Sequence, residues 1–118
     1  TNFVTNRISK INKHLQRTVG EILLKEADLP LDVLVTVSRV ETTPNLRFSD
    51  IWLYINPSEK AEEILERLTP QMYDIQGSLN RSLQLRPLPR IRFQYDAGGE
   101  YAQSINQKID ELKNQPGV

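Results

Sequence analysis

Leu85-Arg86-Pro87-Leu88-Pro89-Arg90-Ile91-Arg92-Phe93-Gln94-Tyr95-Asp96 is the stretch on which the fold turns. Its first five residues read as an extended connector, because the two prolines restrict φ and remove backbone donors that a helix would need. From Arg90 the pattern changes to alternation. Ile91, Phe93 and Tyr95 fall on one side and Arg90, Arg92 and Gln94 on the other, the period of a half-buried strand. What kind of sheet this strand joins depends on the segments before it.

Immediately upstream, Met72, Ile75, Leu79 and Leu83 share one helical face, with Gln76, Asn80, Arg81 and Gln84 more outward. Thr69-Pro70 reads as the start of that helix, Thr being a good N-cap and Pro being tolerated at the first helical position. A separate charged helix precedes it, opened by Ser58 with Glu62 nearby and carrying Ala61, Ile64, Leu65 and Leu68 inward. Asn56-Pro57 closes a strand from Phe48 to Ile55, where Ile51, Leu53 and Ile55 oppose Trp52 and Tyr54. Another strand, Val33 to Val40, sets Val33, Val35 and Val37 against Leu34, Thr36 and Ser38. Only the turn signal Thr43-Pro44-Asn45 separates the two, so they are expected to pair antiparallel.

At the start of the chain, Val4, Ile8, Ile11, Leu15, Val19 and Ile22 form the stripe of an amphipathic helix, ended by Asp28-Leu29-Pro30. After the quoted stretch, Asp96-Ala97-Gly98-Gly99 turns the chain, and Tyr101, Ile105, Ile109 and Leu112 mark a closing helix. The order is helix, strand, strand, helix, helix, strand, helix. With no repeat or long linker, residues 1–118 read as a single α+β domain with a three-stranded sheet, its ordered core spanning about residues 4–112.

Composition excludes several functions. The absence of cysteine removes disulfides, thiolate nucleophiles and Cys-based zinc sites together, and fits a reducing compartment. His14 is the sole histidine and reads as a surface residue. Glu62, Glu63 and Glu66 have no His or Asp partner at ligand spacing and read as a solvated face rather than a metal site. Neither a phosphate-cradling GxxxxGK[ST] nor a G-x-S-x-G elbow occurs. No apolar run approaches the ~20 residues of a membrane span. The expectation is a protein that is not an enzyme and uses no cofactor, metal or small-molecule substrate.

Lysine and arginine total 15 and acids total 15, so nucleic-acid affinity has to come from how the charges are arranged. Arg81, Arg86, Arg90 and Arg92 fall between Ile75 and Tyr95 with no acid among them. Arg7, Lys10, Lys13 and Arg17 precede Glu21, the first acid in the chain, while Glu59, Glu62, Glu63 and Glu66 gather elsewhere. One basic face and one acidic face would suit phosphate binding by counterion release. Ordinary solvated faces are the plain alternative, and a cation near a helix C-terminus such as Arg81 or Arg86 also stabilises that helix. Arg90 and Arg92 could stand together on the open sheet face or pair with acids across it, structural pairing being the expectation for at least one. Tyr73, Trp52 and Tyr54 could stack bases or pack into the core.

Three stretches resemble the ribosome-binding factor A family: Val19 to Glu26 (VGEILLKE), Val35 to Glu41 (VTVSRVE) and the opening Leu85 to Asp96 run. The likeness extends over about residues 10–112. It implies a type II KH-like domain and a cytoplasmic, monomeric factor. Its partners would be the free small ribosomal subunit and 16S rRNA, whose late maturation it would assist, including during cold adaptation. Two positions depart from the family pattern. The Ala-x-Gly kink between the central helices corresponds to Gln71-Met72-Tyr73, without the glycine, so Pro70 is expected to supply the break. Lys10 stands where the family carries an arginine, keeping charge without the planar fork.

The resulting expectation is an RNA-binding surface built from Lys10, Lys13, Arg17, Arg81 and Arg86 near the 70–73 break, with Gln71, Met72 and Tyr73 contributing. The alternative is a KH-like protein-interaction module that no longer binds RNA.

Overall fold

A computed structural model of the chain describes residues 2–97. Helix α1 (Asn2–Lys25) is followed by strands β1 (Leu34–Thr42) and β2 (Phe48–Asn56), helices α2 (Ala61–Leu68) and α3 (Met72–Ser82), and strand β3 (Arg90–Tyr95). The closing helix expected from Tyr101 to Leu112 lies outside the described residues. β2 is central, antiparallel to β1 and parallel to β3. A parallel partner requires a crossover connection, and α2 with α3 provides it. The result is the helix-strand-strand-helix-helix-strand order of a KH-like α+β fold with a three-stranded mixed sheet.

One side of the sheet makes the core. Ile51, Leu53 and Ile55 from β2, with Val40 and Ile91 from its neighbours, bury against Ile11, Leu15, Val19 and Ile22 of α1 and the inner stripes of α2 and α3. Full burial of each such side chain contributes roughly 1.5–3 kcal/mol, which holds the helices to this one face. Ser49 sits on the same side, wholly buried. Its hydroxyl donates to Thr42 Oγ1 at 2.7 Å, since the Thr42 hydroxyl itself donates to Asn12 Oδ1 at 2.6 Å. That chain satisfies a buried polar group that would otherwise be costly.

Two local features depart from the sequence expectation. The alternation in β1 holds through Val37, opposite Leu53, and then slips, because Arg39 is the next residue paired, opposite Trp52. Ser38 is the extra residue of a β-bulge. Since side chains alternate with a period of two, the slip turns Val40 into the core and Arg39 onto the helix-free face. The second departure is at Thr69, which does not cap α3. The chain stays right-handed through a 3-10 turn at Thr69–Gln71, and the Thr69 hydroxyl donates backward to Leu65 O at 3.0 Å. Pro70 occupies the start of that turn as expected, and the break falls at residues 69–71, so Met72 and Tyr73 belong to the first turn of α3. Ser58 likewise lies in a 3-10 turn (Ser58–Lys60) ahead of α2 and makes no capping bond.

Candidate nucleic-acid interface

α1 and α3 lie antiparallel along a seam. At one end Ile22 and Glu26 meet Gln71, Asp74 and Ile75. In the middle His14, Arg17 and Thr18 face Ser82 and Leu83. At the other end Arg7, Lys10 and His14 line a cleft with Leu85, Arg86 and Pro87 of the connector. Spacings of three and four residues place Lys10, Lys13 and Arg17 on one exposed stripe of α1.

The seam is electrically polar. Glu21, Glu26 and Asp74 mark its acidic end, while Arg7, Lys10, Lys13 and Arg86 make no ion pair with any carboxylate among the described residues. Arg17 joins the two ends through Glu21 at 3.5 Å, an exposed pair of small energetic value. Arg7 Nη2 donates to Arg86 O at 3.5 Å, and Arg86 Nη1 donates to Leu85 O at 2.7 Å. These contacts bring like charges together while using only carbonyl acceptors. Positive charge is therefore gathered here without being neutralised, the arrangement that suits a polyanion.

The expected site residues divide between two places. Lys10, Lys13, Arg17 and Arg86 cluster at the basic end. Arg81 lies in the last turn of α3, but its guanidinium donates to Ser78 Oγ at 3.2 Å, and Ser78 donates in turn to Glu26 Oε1 at 2.7 Å. Gln71, Met72 and Tyr73 lie at the opposite end of α3, roughly 15 Å away at 1.5 Å per residue. The expectation that the basic surface sits beside the 70–73 break is corrected accordingly: antiparallel packing sets the start of α3 against the end of α1, far from Lys10 and Lys13.

At the break, the Gln71 amide is committed to structure. Its oxygen accepts from the Asp28 N–H at 2.7 Å, and its nitrogen donates to Asp28 O at 2.9 Å and Arg67 O at 3.0 Å. Arg67 holds the same loop through Asp28 O at 3.0 Å and Asp28 Oδ1 at 3.1 Å. Tyr73 is 88% exposed and, with Met72, Gln76, Arg90 and Ile91, lines a separate cleft between α3 and β3. Gln76 closes that side of the sheet, accepting from the Ile91 N–H at 2.9 Å and donating to Pro89 O at 3.3 Å.

On the helix-free sheet face, Arg92 donates twice to Asp50, at 2.9 and 3.1 Å, so this arginine is structural. Trp52 and Tyr54 lie on that face, opposite the core-facing Ile51 and Leu53, and Arg39 covers the Trp52 ring at 4.4 Å. Among the described residues no cluster of three or more metal-ligating side chains occurs, and no helix is long and apolar enough to cross a membrane. His14, read from sequence as a surface residue, proves to border two of the clefts; its place between Lys10 and Arg17 on one helical stripe was the available signal.

Residues 7–109 match the family model described as ribosome-binding factor A. The chain belongs to the ribosome-binding factor A family. A curated ribosome-binding factor A from Flavobacterium psychrophilum is 32% identical over 114 residues, covering 93% of this chain and 88% of the relative. The crystal structure of ribosome-binding factor A from Thermus thermophilus superposes with a TM-score of 0.67 at 22% identity, covering 79% of this chain and 99% of that one. A homology model of the Thermus thermophilus ribosome-binding factor A, fitted into the cryo-EM map of a complex of that protein with 30S, has a TM-score of 0.59 at 23% identity and covers 75% of this chain and 94% of that one. These last two likenesses establish the shared fold.

Proposed function

We propose that this chain is a non-catalytic assembly factor that binds the free small ribosomal subunit and assists late 16S rRNA maturation. It acts as a monomer of one domain in the cytoplasm. The observation that carries the reading is the unneutralised cluster of Arg7, Lys10, Lys13 and Arg86, to which Arg17 and Arg81 add charge. The Thermus family member fitted into a 30S complex supports the choice of partner. In this reading the basic end of the seam takes rRNA phosphates, and Met72 and Tyr73 in the α3–β3 cleft offer apolar and stacking contact. Gln71 serves by holding the break in place.

The test is cosedimentation of the purified protein with free small subunits and with intact ribosomes across a salt series. Binding selective for free subunits and weakened by salt is the expected result. Binding insensitive to salt would favour a protein-interaction module, because apolar interfaces lack the counterion term. The maturation step is tested in cells whose only copy carries Lys10→Glu with Arg86→Glu, where unprocessed 16S rRNA is expected to accumulate during growth in the cold.

A further inference from the structure

The described helices cover one side of the sheet; on the other, Leu34, Tyr54, Trp52 and Phe48 form an aromatic strip, with Asp50 between the last two and Arg39 and Arg92 stacked on Trp52 and Phe48. Leu34 is 50% exposed, and the three aromatics are half-buried. Trp52 Nε1 and Thr36 Oγ1 are buried there without a hydrogen-bond partner among the described residues. Two of its arginines are already occupied, Arg39 by Glu41 and Arg92 by Asp50, and Arg90, opposite Phe48 at the end of β3, is the one without a carboxylate among the described residues. Such a face has little to offer a phosphate backbone and much to offer an amphipathic segment.

The chain leaves the sheet beside this strip. Asp96, just beyond β3, is buried: its carboxylate accepts the Ser38 hydroxyl at 2.6 Å, and its N–H donates to Leu53 O at 2.9 Å. The described residues end at Ala97, leaving residues 98–118, in which Tyr101, Ile105, Ile109 and Leu112 recur at helical spacing. A helix over those twelve positions would be about 18 Å long, which fits along nine-residue β2 at about 30 Å. So short a helix is marginal alone in water and needs a surface on which to bury its stripe. Tethering at Asp96 gives it a high effective concentration at this surface, which favours it over a second copy of the chain.

We propose that residues 98–118 dock their apolar stripe on the helix-free sheet face, over Trp52. Ser104, on the flank of that stripe at helical spacing, brings a hydroxyl to the unpaired indole N–H and the Thr36 hydroxyl. The inference is independent of the rRNA reading, since the basic seam lies on the other side of the sheet.

Trp52 is the sole tryptophan and the chain has no cysteine, so one indole resonance can report on one attached spin label. The experiment uses the full chain carrying Asn106→Cys, labelled with a nitroxide. Paramagnetic loss of the Trp52 indole N–H signal, restored on reducing the label, is expected. Loss of that broadening when Ile105→Asp and Ile109→Asp are added supports docking through the stripe. An indole signal unaffected by the label overturns the proposal. Broadening that arises only between isotope-labelled and spin-labelled copies in a mixture also overturns it, in favour of a contact between chains.

Discussion

The basic end of the α1–α3 seam and the helix-free face of the sheet are both supplied with arginine, yet they use it in opposite ways. On the sheet, Arg39 pairs with Glu41 and stacks over Trp52, while Arg92 holds Asp50 with two bonds and stacks over Phe48 at 4.5 Å. Around Arg7, Lys10, Lys13 and Arg86 no described carboxylate comes within pairing distance. The reason is geometric. Strand register sets each side chain against fixed neighbours, so an acid on the adjacent strand is held against its cation. An exposed helix stripe can neutralise a cation internally only from three or four positions away, and α1 has no acid before Glu21. A chain of zero net charge thus keeps a strongly cationic corner, and partnering, not residue type, separates structural from available charge.

Four measurements break or sharpen this contrast. Leu53→Ala removes a wholly buried side chain beneath both regions and is expected to cost about 2–5 kcal/mol, read as a fall in stability in urea unfolding. Lys10→Glu with Arg86→Glu should leave unfolding nearly unchanged but weaken small-subunit binding by about 10–100-fold. The slope of log affinity against log salt should also flatten, by roughly 0.7–0.9 for each phosphate these side chains no longer neutralise. Undiminished binding would remove these residues from the interface. Gln71→Ala frees the Asp28 loop and should cost about 1–2 kcal/mol of stability while sparing subunit binding. If it instead abolishes binding with stability intact, the break itself contacts RNA. The smallest effect belongs to Asp50→Ala and Arg92→Ala, whose double-mutant cycle should give a coupling of about 0.5–1 kcal/mol in stability and none in binding.

Much of the fold was legible because the relevant signals are local. The stripe from Ile11 to Ile22, the alternation in Phe48 to Ile55 and the interruption at Pro70 each follow from spacing or from backbone chemistry within a few residues. The bulge at Ser38 was not legible, because no residue there forbids regular alternation. It becomes necessary only when Val40 must reach the core and Ser38 must reach Asp96, 58 positions away. Thr69 misled for a related reason: its hydroxyl can serve the next helix or the previous one, and the continuous right-handed backbone chose the carbonyl of Leu65. Of the candidate site, the cations of α1 and the connector could be named from sequence. Their separation from Gln71, Met72 and Tyr73 could not.

By itself, then, the sequence determined the elements from α1 to β3, their order, the antiparallel hairpin and the inventory of charge, since helical and strand periods and turn chemistry act over a handful of neighbours. The tertiary structure alone decided that β3 joins β2 in parallel, that α1 meets α3 head to tail, and which arginines find a carboxylate. Those outcomes depend on contacts between residues far apart in the chain, where burial of one shared core sets distances that no local pattern encodes.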